Sequence, residues 1–172
     1  MKVLVSATSK HGSTAEIARA IGEVLEERGL EVAVTPPEEV QSVEGFDAAV
    51  LGSAVYAGHW LKPAMELVER LGTPLAAVPV WLFSSGPIGD PPKPEEDPVD
   101  VAELMEATRA RGHRVFPGKL VKSELGFGEK AIVLALRAPE GDFRNWEEIR
   151  SWAAEVAEAL RAEPRGRPPS AP

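Results

Sequence analysis

Short apolar runs alternate with longer segments of helical periodicity, and this alternation constrains the fold more than any other feature of the chain. The apolar runs cover residues 2–7, 31–35, 47–53, 78–84 and 113–120. The helical segments cover residues 14–30, 60–71, 98–112 and 145–162. The runs have the length and β-branched content of buried parallel strands. Because strands that alternate with helices form a parallel sheet covered on both faces, we predict an α/β fold.

Three segments fit this alternation less well. The proline-rich and acidic stretch 86–98 predicts a loop over the sheet edge. Within 121–143, residues 131–138 are compatible with a strand or a short buried helix, because periodicity does not separate the two over that length. We predict one domain over 1–162 and a disordered tail over 163–172, which is rich in proline and has no apolar anchors.

Composition excludes several classes of function. The chain of 172 residues has no cysteine, which excludes disulfides, cysteine-ligated metals and thiol nucleophiles. Its formal net charge of −8 argues against binding of a nucleic-acid backbone. No run of apolar residues is long enough to cross a membrane and no leader is recognisable, so we expect a cytoplasmic protein. Any redox chemistry would then need a bound organic cofactor.

The turn between the first strand and the first helix is unusually rich in hydroxyl groups. Its residues are Thr8, Ser9, Lys10, His11, Gly12, Ser13 and Thr14. The N-terminus of a helix offers free N–H groups and a positive dipole end, and hydroxyl groups can donate to phosphate oxygens. The alternative is a capping box, in which Ser13 bonds the N–H of Glu16 and Glu16 reaches back. Capping the helix would take one hydroxyl group, and this turn has four, so we favour a phosphate site. The triphosphate and dinucleotide glycine motifs are both absent.

Two more loops should lie at the same edge, because ligands of doubly wound sheets bind at the carboxyl ends of the strands. The loop after the third strand contributes Ser53, Ala54, Val55, Tyr56, Ala57, Gly58 and His59, and the loop after the fourth contributes Ser84, Ser85, Gly86, Pro87 and Gly89. Tyr56, His59 and Trp60 could stack on a flat heteroaromatic ring or bond to its edge. Alternatively, Trp60 packs at the start of a helix and Tyr56 is an ordinary loop aromatic.

The run 3–21 resembles the flavodoxin signature, with Thr8, Gly12, Thr14 and Ala18 in register and Ser6 where flavodoxins usually have an aromatic residue. The resemblance implies a flavodoxin-like three-layer sandwich, with a doubly wound five-stranded parallel sheet in the order 2-1-3-4-5. It also implies that FMN is the cofactor, with residues 8–14 around its phosphate and the two later loops around its ring.

The loops are similar, more narrowly, to bacterial flavodoxin-domain proteins related to the menaquinone-dependent protoporphyrinogen oxidases. Segments 52–60, 83–87, 113–120 and 142–146 carry this similarity. It implies electron transfer with a redox partner protein or a quinone. Two alternatives stay open, a strict protoporphyrinogen IX oxidase and a flavin-free binding or regulatory module. Those oxidases carry a long insertion after the fifth strand, whereas 121–143 is short here.

The sequence indicates no catalytic side chain and no metal site. The three histidines, at 11, 59 and 113, are not spaced as metal ligands, and no Ser–His–Asp grouping can be argued from spacing. The oligomeric state, monomer or homodimer, is left open.

Overall fold

The computed structural model describes residues 1–89 and 95–163, which form eight strands and five α-helices. In chain order these are β1 (Lys2–Thr8), α1 (Ser13–Glu27), β2 (Glu31–Val34), β3 (Ala48–Tyr56), β4 (His59–Trp60), α2 (Lys62–Leu75), β5 (Val80–Ser85), α3 (Val101–Thr108), β6 (His113–Phe116), β7 (Lys119–Leu120), α4 (Phe127–Ala135), β8 (Gly141–Asp142) and α5 (Trp146–Ala162).

Five parallel strands form the main sheet in the order β2-β1-β3-β5-β6. This is the predicted 2-1-3-4-5 order, with the two-residue β4 as an additional strand that pairs antiparallel with β3. The prediction of a doubly wound parallel sheet is therefore confirmed. The order reverses between β1 and β3, so the chain leaves the carboxyl ends of these two neighbouring strands toward opposite faces of the sheet, and a crevice opens there.

Helices cover both faces of the sheet, and a separate apolar core fills each side. On one side α1 and α5 pack over the sheet through Ile17, Ile21 and Ile149. On the other side α2 and α3 pack through Leu67 and Leu104. Successive strand residues alternate between the two cores, as the period of two in a strand requires. The predicted three-layer sandwich is confirmed.

Three aromatic rings pack against one another in the core beneath α5. The ring centroids of Phe83, Phe116 and Trp152 lie 5.5–6.2 Å apart, in tilted and edge-on arrangements. Gly52 faces this cluster, and a Cβ atom added there would lie 2.2 Å from the Phe83 ring. The middle position of β3 therefore has to be glycine for Phe83 to pack as it does.

The predicted fifth strand, 113–120, is interrupted. β6 ends at Phe116, and the chain bends at Pro117 and Gly118, where the Gly118 N–H donates to the Pro87 carbonyl at 2.7 Å. Residues 119–120 instead pair with β8 in a separate two-stranded ribbon. Proline supplies no N–H for the ladder, which explains why the parallel pairing stops there.

The ambiguous segment 121–143 contains a helix, but this helix is not buried. α4 covers residues 127–135, and none of its described side chains is buried. The alternatives of a strand or a buried helix over 131–138 are therefore both wrong. The prediction of a loop over 86–98 and that of a disordered tail over 163–172 fall partly outside the described residues. No helix within the described ranges combines the length and apolarity needed to span a bilayer.

Candidate functional site

The loops at the carboxyl ends of β1, β3 and β5 border a cavity of about 1200 Å³, and α4 forms its outer wall. The lining includes nine of the residues predicted from sequence: Ser13, Thr14, Ala54, Val55, Tyr56, Ala57, Ser85, Gly86 and Gly89. The remaining lining residues are Ile88, Glu95, Glu96, Gly118, Lys119, Leu120, Leu125, Glu129, Ile132, Val133, Leu136, Arg137, Ala138 and Pro139. The structure thus brings all three predicted loops to one cavity. It also adds a wall that the sequence did not indicate.

The hydroxyl-rich loop turns into α1 through Gly12, which has a positive φ of 89°. The Glu16 N–H donates to the Gly12 carbonyl, and no described side chain caps the helix. The capping-box alternative for Ser13 and Glu16 is therefore wrong. Glu16 instead pairs with the guanidinium of Arg144. The start of the helix keeps its N–H groups available for a ligand.

Four hydroxyl groups at this loop are buried and unpaired. Within the described part of the chain, the hydroxyl oxygens of Ser6, Thr8, Ser9 and Thr14 make no hydrogen bond. Burying a hydroxyl group without a partner is costly, so unpaired groups of this kind need an explanation. Three of the four belong to the predicted phosphate loop. A phosphate group at the start of α1 would accept hydrogen bonds from hydroxyl groups placed in this way.

Two side chains of the loop, Lys10 and His11, contact Glu129 of α4. Lys10 Nζ lies 2.6 Å from Glu129 Oε1, and His11 Nε2 lies 3.3 Å from the same oxygen. Glu129 also accepts from the Gly126 N–H at 2.8 Å. The hydrogen bond from Lys10 is the main cause that lowers the pKa of Glu129 to about 2. The carboxylate is therefore charged at neutral pH, and it neutralises the loop from the side of the cavity.

Tyr56 stands at the end of β3, next to this ion pair. Its ring lies 5.1 Å from Lys10 Nζ, within the range of a cation–π contact. Burial, reinforced by the charge of Glu129, raises the pKa of Tyr56 to about 12. The phenol therefore keeps its proton at neutral pH and can donate it in a hydrogen bond.

A two-residue turn joins β3 to β4 and shapes the second loop. Both turn residues have positive φ, 50° at Ala57 and 81° at Gly58, as such hairpins require. The Gly58 carbonyl accepts from the Val99 N–H at 2.8 Å. His59 follows on the outside, where its Nδ1 lies 3.2 Å from Asp100. It does not line the cavity, unlike Tyr56 on the opposite strand.

Three other predicted residues lie beneath the cavity. Trp60 is buried, and its Nε1 donates to Ser84 Oγ at 2.8 Å, so it packs in the core and does not stack on a ligand. Ser53 is also buried, and its hydroxyl accepts from the Leu61 N–H at 2.9 Å. These side chains support the two loops. The sequence left packing of Trp60 open as the alternative to ring stacking, but it could not give the partners of Trp60 and Ser53, because the sheet register sets them.

The third loop approaches β6 closely. The Gly86 N–H donates to the Phe116 carbonyl at 3.3 Å. A Cβ atom on Gly118 would lie 3.2 Å from Gly86 Cα, so the two backbones pass nearly in contact. Pro87 takes part through its carbonyl, which accepts from Gly118. Small residues at 86 and 118 therefore let the loop backbone reach the cavity edge.

A Ser–His–Asp grouping does occur, although spacing does not reveal it. Ser84 Oγ lies 2.7 Å from His113 Nε2, and His113 Nδ1 lies 3.5 Å from Asp97. Burial is the main cause that lowers the pKa of His113, with Asp97 acting in the opposite direction. Ser84 is fully buried and already accepts from Trp60, so no substrate can reach its hydroxyl. Through the contact between Asp97 and His113, this grouping holds residues 95–100 against the sheet.

The sequence matches the family model described as Flavodoxin domain over residues 4–145. A curated relative, protoporphyrinogen IX dehydrogenase [quinone] of Escherichia coli strain K12, is 23% identical over 172 aligned residues, covering 91% of this chain and 95% of the relative. A flavodoxin from the domain Archaea superposes with a TM-score of 0.62 at 19% identity, over 94% of this chain and 99% of that one.

A larger protein also contains the fold. The rubredoxin oxygen:oxidoreductase of Desulfovibrio gigas superposes with a TM-score of 0.66 at 16% identity. The match covers 94% of this chain but only 36% of that one, so the present fold corresponds to one part of the larger chain. At these identities the structural matches show the fold alone.

Proposed function

The chain belongs to the flavodoxin-domain family, and from this premise we propose that it binds FMN and transfers electrons. The observation that carries the proposal is the set of unpaired, buried hydroxyl groups of Thr8, Ser9 and Thr14 around the start of α1. Hydroxyl donors and a free helix N-terminus fit a phosphate monoester, which FMN has and riboflavin lacks.

The rest of the cavity fits a flat ring. Val55, Tyr56 and Ala57 border it on one side, and Ser85 and Gly86 on another. Aromatic and aliphatic side chains supply apolar contact, while the small residues let the loop backbone come close to the ring edge. FMN would supply the one- and two-electron redox chemistry, and the protein would position the ring and control access to it.

Lys10 and His11 have a second role under this proposal. Both contact Glu129, and both belong to the loop that would hold the phosphate. A bound phosphate would compete with the Glu129 carboxylate for these two side chains. We propose that the predicted loop residues from Thr8 to Thr14 all belong to the phosphate site, with Lys10 as its main cation.

A quinone-linked oxidoreductase is the more specific form of the proposal. It is supported by the Escherichia coli relative, a quinone-dependent protoporphyrinogen IX dehydrogenase that aligns over 91% of this chain and 95% of its own length. The apolar wall formed by Leu125, Ile132, Val133 and Leu136 would suit a second, apolar molecule beside the ring. Strict protoporphyrinogen IX oxidation is the alternative, and a cavity of this volume would also accept a large flat substrate.

Titration of the apoprotein with FMN, riboflavin and FAD, followed by quenching of flavin fluorescence, tests the proposal. We expect FMN to bind more tightly than riboflavin. The double variant Ser13→Ala/Thr14→Ala should lose affinity for FMN and keep its affinity for riboflavin. Ser42→Ala, an exposed hydroxyl far from the cavity, is the matched control.

Two outcomes would contradict the proposal. Equal loss of FMN and riboflavin affinity in the double variant would remove the phosphate assignment. A protein that quenches none of the three flavins would favour the flavin-free binding module. For a protein that does bind FMN, reoxidation by menaquinone and reduction by protoporphyrinogen would separate the quinone-linked carrier from the strict oxidase.

A further inference from the structure

Arg144 connects the end of strand β8 to the first turn of α1. Its side chain is only 4% exposed, and its guanidinium lies over the ring of Trp146, with 4.6 Å between Cζ and the ring centroid. The guanidinium donates to the Asp142 carboxylate at 2.9 and 2.7 Å, to the Ser13 carbonyl at 3.1 Å, and to the Glu16 carboxylate. A charged group with several such bonds is held in one position.

Glu16 lies where its charge would oppose a bound phosphate. It stands in the first turn of α1, on the same face as Ser13 three residues earlier, and Ser13 lines the cavity. The positive end of the helix dipole attracts an acidic side chain of the first turn, and it is the same potential that a phosphate would use. A Glu16 carboxylate without a partner would therefore compete with the phosphate.

The ion pair with Arg144 removes this competition. The guanidinium balances the charge of Glu16, and no side chain among the described residues caps the helix. Asp142, the other acidic partner of Arg144, has a second counter-charge, because Lys119 lies opposite it in the β7–β8 ribbon. The hydrogen bond from Arg144, with the charge of Lys119 as a smaller contribution, lowers the pKa of Asp142.

We propose that Arg144 is a positioning residue for the phosphate site, which holds the Glu16 carboxylate so that the start of α1 stays open to a phosphate monoester. The guanidinium acts through Glu16 and through the bond to the Ser13 carbonyl, and it does not line the cavity itself. This inference rests on the proposed function, because it requires a phosphate group at the start of α1.

Fluorescence titrations of the full chain with FMN and riboflavin, at about 0.15 M salt, test the proposal. Arg144→Met should weaken FMN binding about fivefold, because the repulsion between a freed carboxylate and the phosphate is comparable in size to an exposed ion pair. Riboflavin affinity should stay the same, because riboflavin has no phosphate. Arg144→Met/Glu16→Gln should return FMN affinity to within about twofold of the parent value. Arg144→Lys, which keeps the charge, should retain most of the preference for FMN.

Arg150→Met is the matched control. Arg150 pairs with Glu27, the last residue of α1, at 2.8 Å, so its loss changes the charge of the same helix equally. Glu27 is about 16 Å from Glu16 along the helix axis, which exceeds the Debye length of about 8 Å at this salt concentration. Arg150→Met should therefore bind both flavins like the parent protein.

Equal loss of FMN and riboflavin affinity in Arg144→Met, or no recovery in the double variant, would overturn the proposal and leave Arg144 as a structural link between the ribbon and α1. Circular dichroism establishes that each variant is folded. If Arg144→Met does not fold, Glu16→Gln alone decides, since it should tighten FMN binding by up to about fivefold and leave riboflavin unchanged. A parent protein that binds FMN and riboflavin equally would overturn the phosphate site itself, and this inference with it.

Discussion

Glu129→Gln is the substitution that tests the link between α4 and the phosphate loop most directly. The carboxylate holds Lys10 at 2.6 Å and His11 at 3.3 Å, on the side of the loop that faces the cavity. Glutamine keeps the shape and can still accept from the Gly126 N–H, but it removes the charge. If phosphate and Glu129 compete for Lys10, the variant should bind FMN more tightly than the parent protein.

The exposure of the pair limits the size of this effect. The Lys10 side chain is about half exposed, with 47% of its surface in contact with solvent. Ion pairs of this kind are worth up to about 1 kcal/mol, so FMN affinity should rise by at most about fivefold. Riboflavin affinity should stay the same, because riboflavin carries no phosphate to compete for the lysine.

The assay is a fluorescence titration with both flavins at low and high salt, with Glu124→Gln as the control. Glu124 is an exposed acidic residue in the same segment, and its loss changes the net charge equally. The gain in FMN affinity should be specific to Glu129→Gln and should shrink at high salt. An equal gain in both variants would mean that the change in overall charge, and not the loss of competition for Lys10, causes the effect. Weaker FMN binding in Glu129→Gln would mean that the carboxylate supports the site and does not compete with the phosphate.

Three further predictions concern stability. Burial lowers the pKa of His113 below its ordinary value of 6.5. The contribution of His113 to the free energy of unfolding should therefore be fully present above pH 6.5 and be lost as the pH falls through the lower pKa of the folded state. In urea denaturation at several pH values, His113→Gln should flatten this dependence. Gly52→Ala should cost about 1–3 kcal/mol in urea denaturation, because its Cβ meets the buried Phe83 ring, and Phe83→Leu in the same chain should recover part of that loss. Arg144→Met should lower the thermal midpoint, with a cost of about 1–3 kcal/mol, because methionine lacks the buried guanidinium that pairs with Glu16. Arg144→Lys keeps the positive charge and should retain part of the stability.

The order of the sheet could be predicted from the sequence because its central strands are buried on both faces. β1, β3 and β5 are short apolar runs, and the helices between them show a clear period. Helix α4 has neither property. Its apolar residues surround the helix and none is buried, so periodicity could not separate a helix from a strand or predict its exposure.

The sequence also predicted that the loops after β1, β3 and β5 would meet, because the carboxyl ends of parallel strands lie at the same edge of a sheet. The partners within the site could not be predicted from the sequence. Glu129 reaches His11 across 118 residues, and its identity as a partner depends on the angle at which α4 leaves the sheet. For Trp60 the sequence left ring stacking and core packing both open, and the register of β3 and β5 places its indole N–H on Ser84. Side-chain direction at a strand end is a tertiary property.

The packing of α5 has a consequence for how the protein is made. Trp152 and Ile149 cover the sheet face that carries Phe83 and Phe116, and α5 follows every strand of the main sheet in the chain. During translation α1 can already cover β1 and β2 on this face, and α2 and α3 can cover the other face, but the part around Phe83 and Phe116 stays open until α5 leaves the ribosome. The nascent chain therefore passes through a stage with an uncovered aromatic surface, and a ribosome stalled before residue 146 would display a sheet open to chaperones and aggregation.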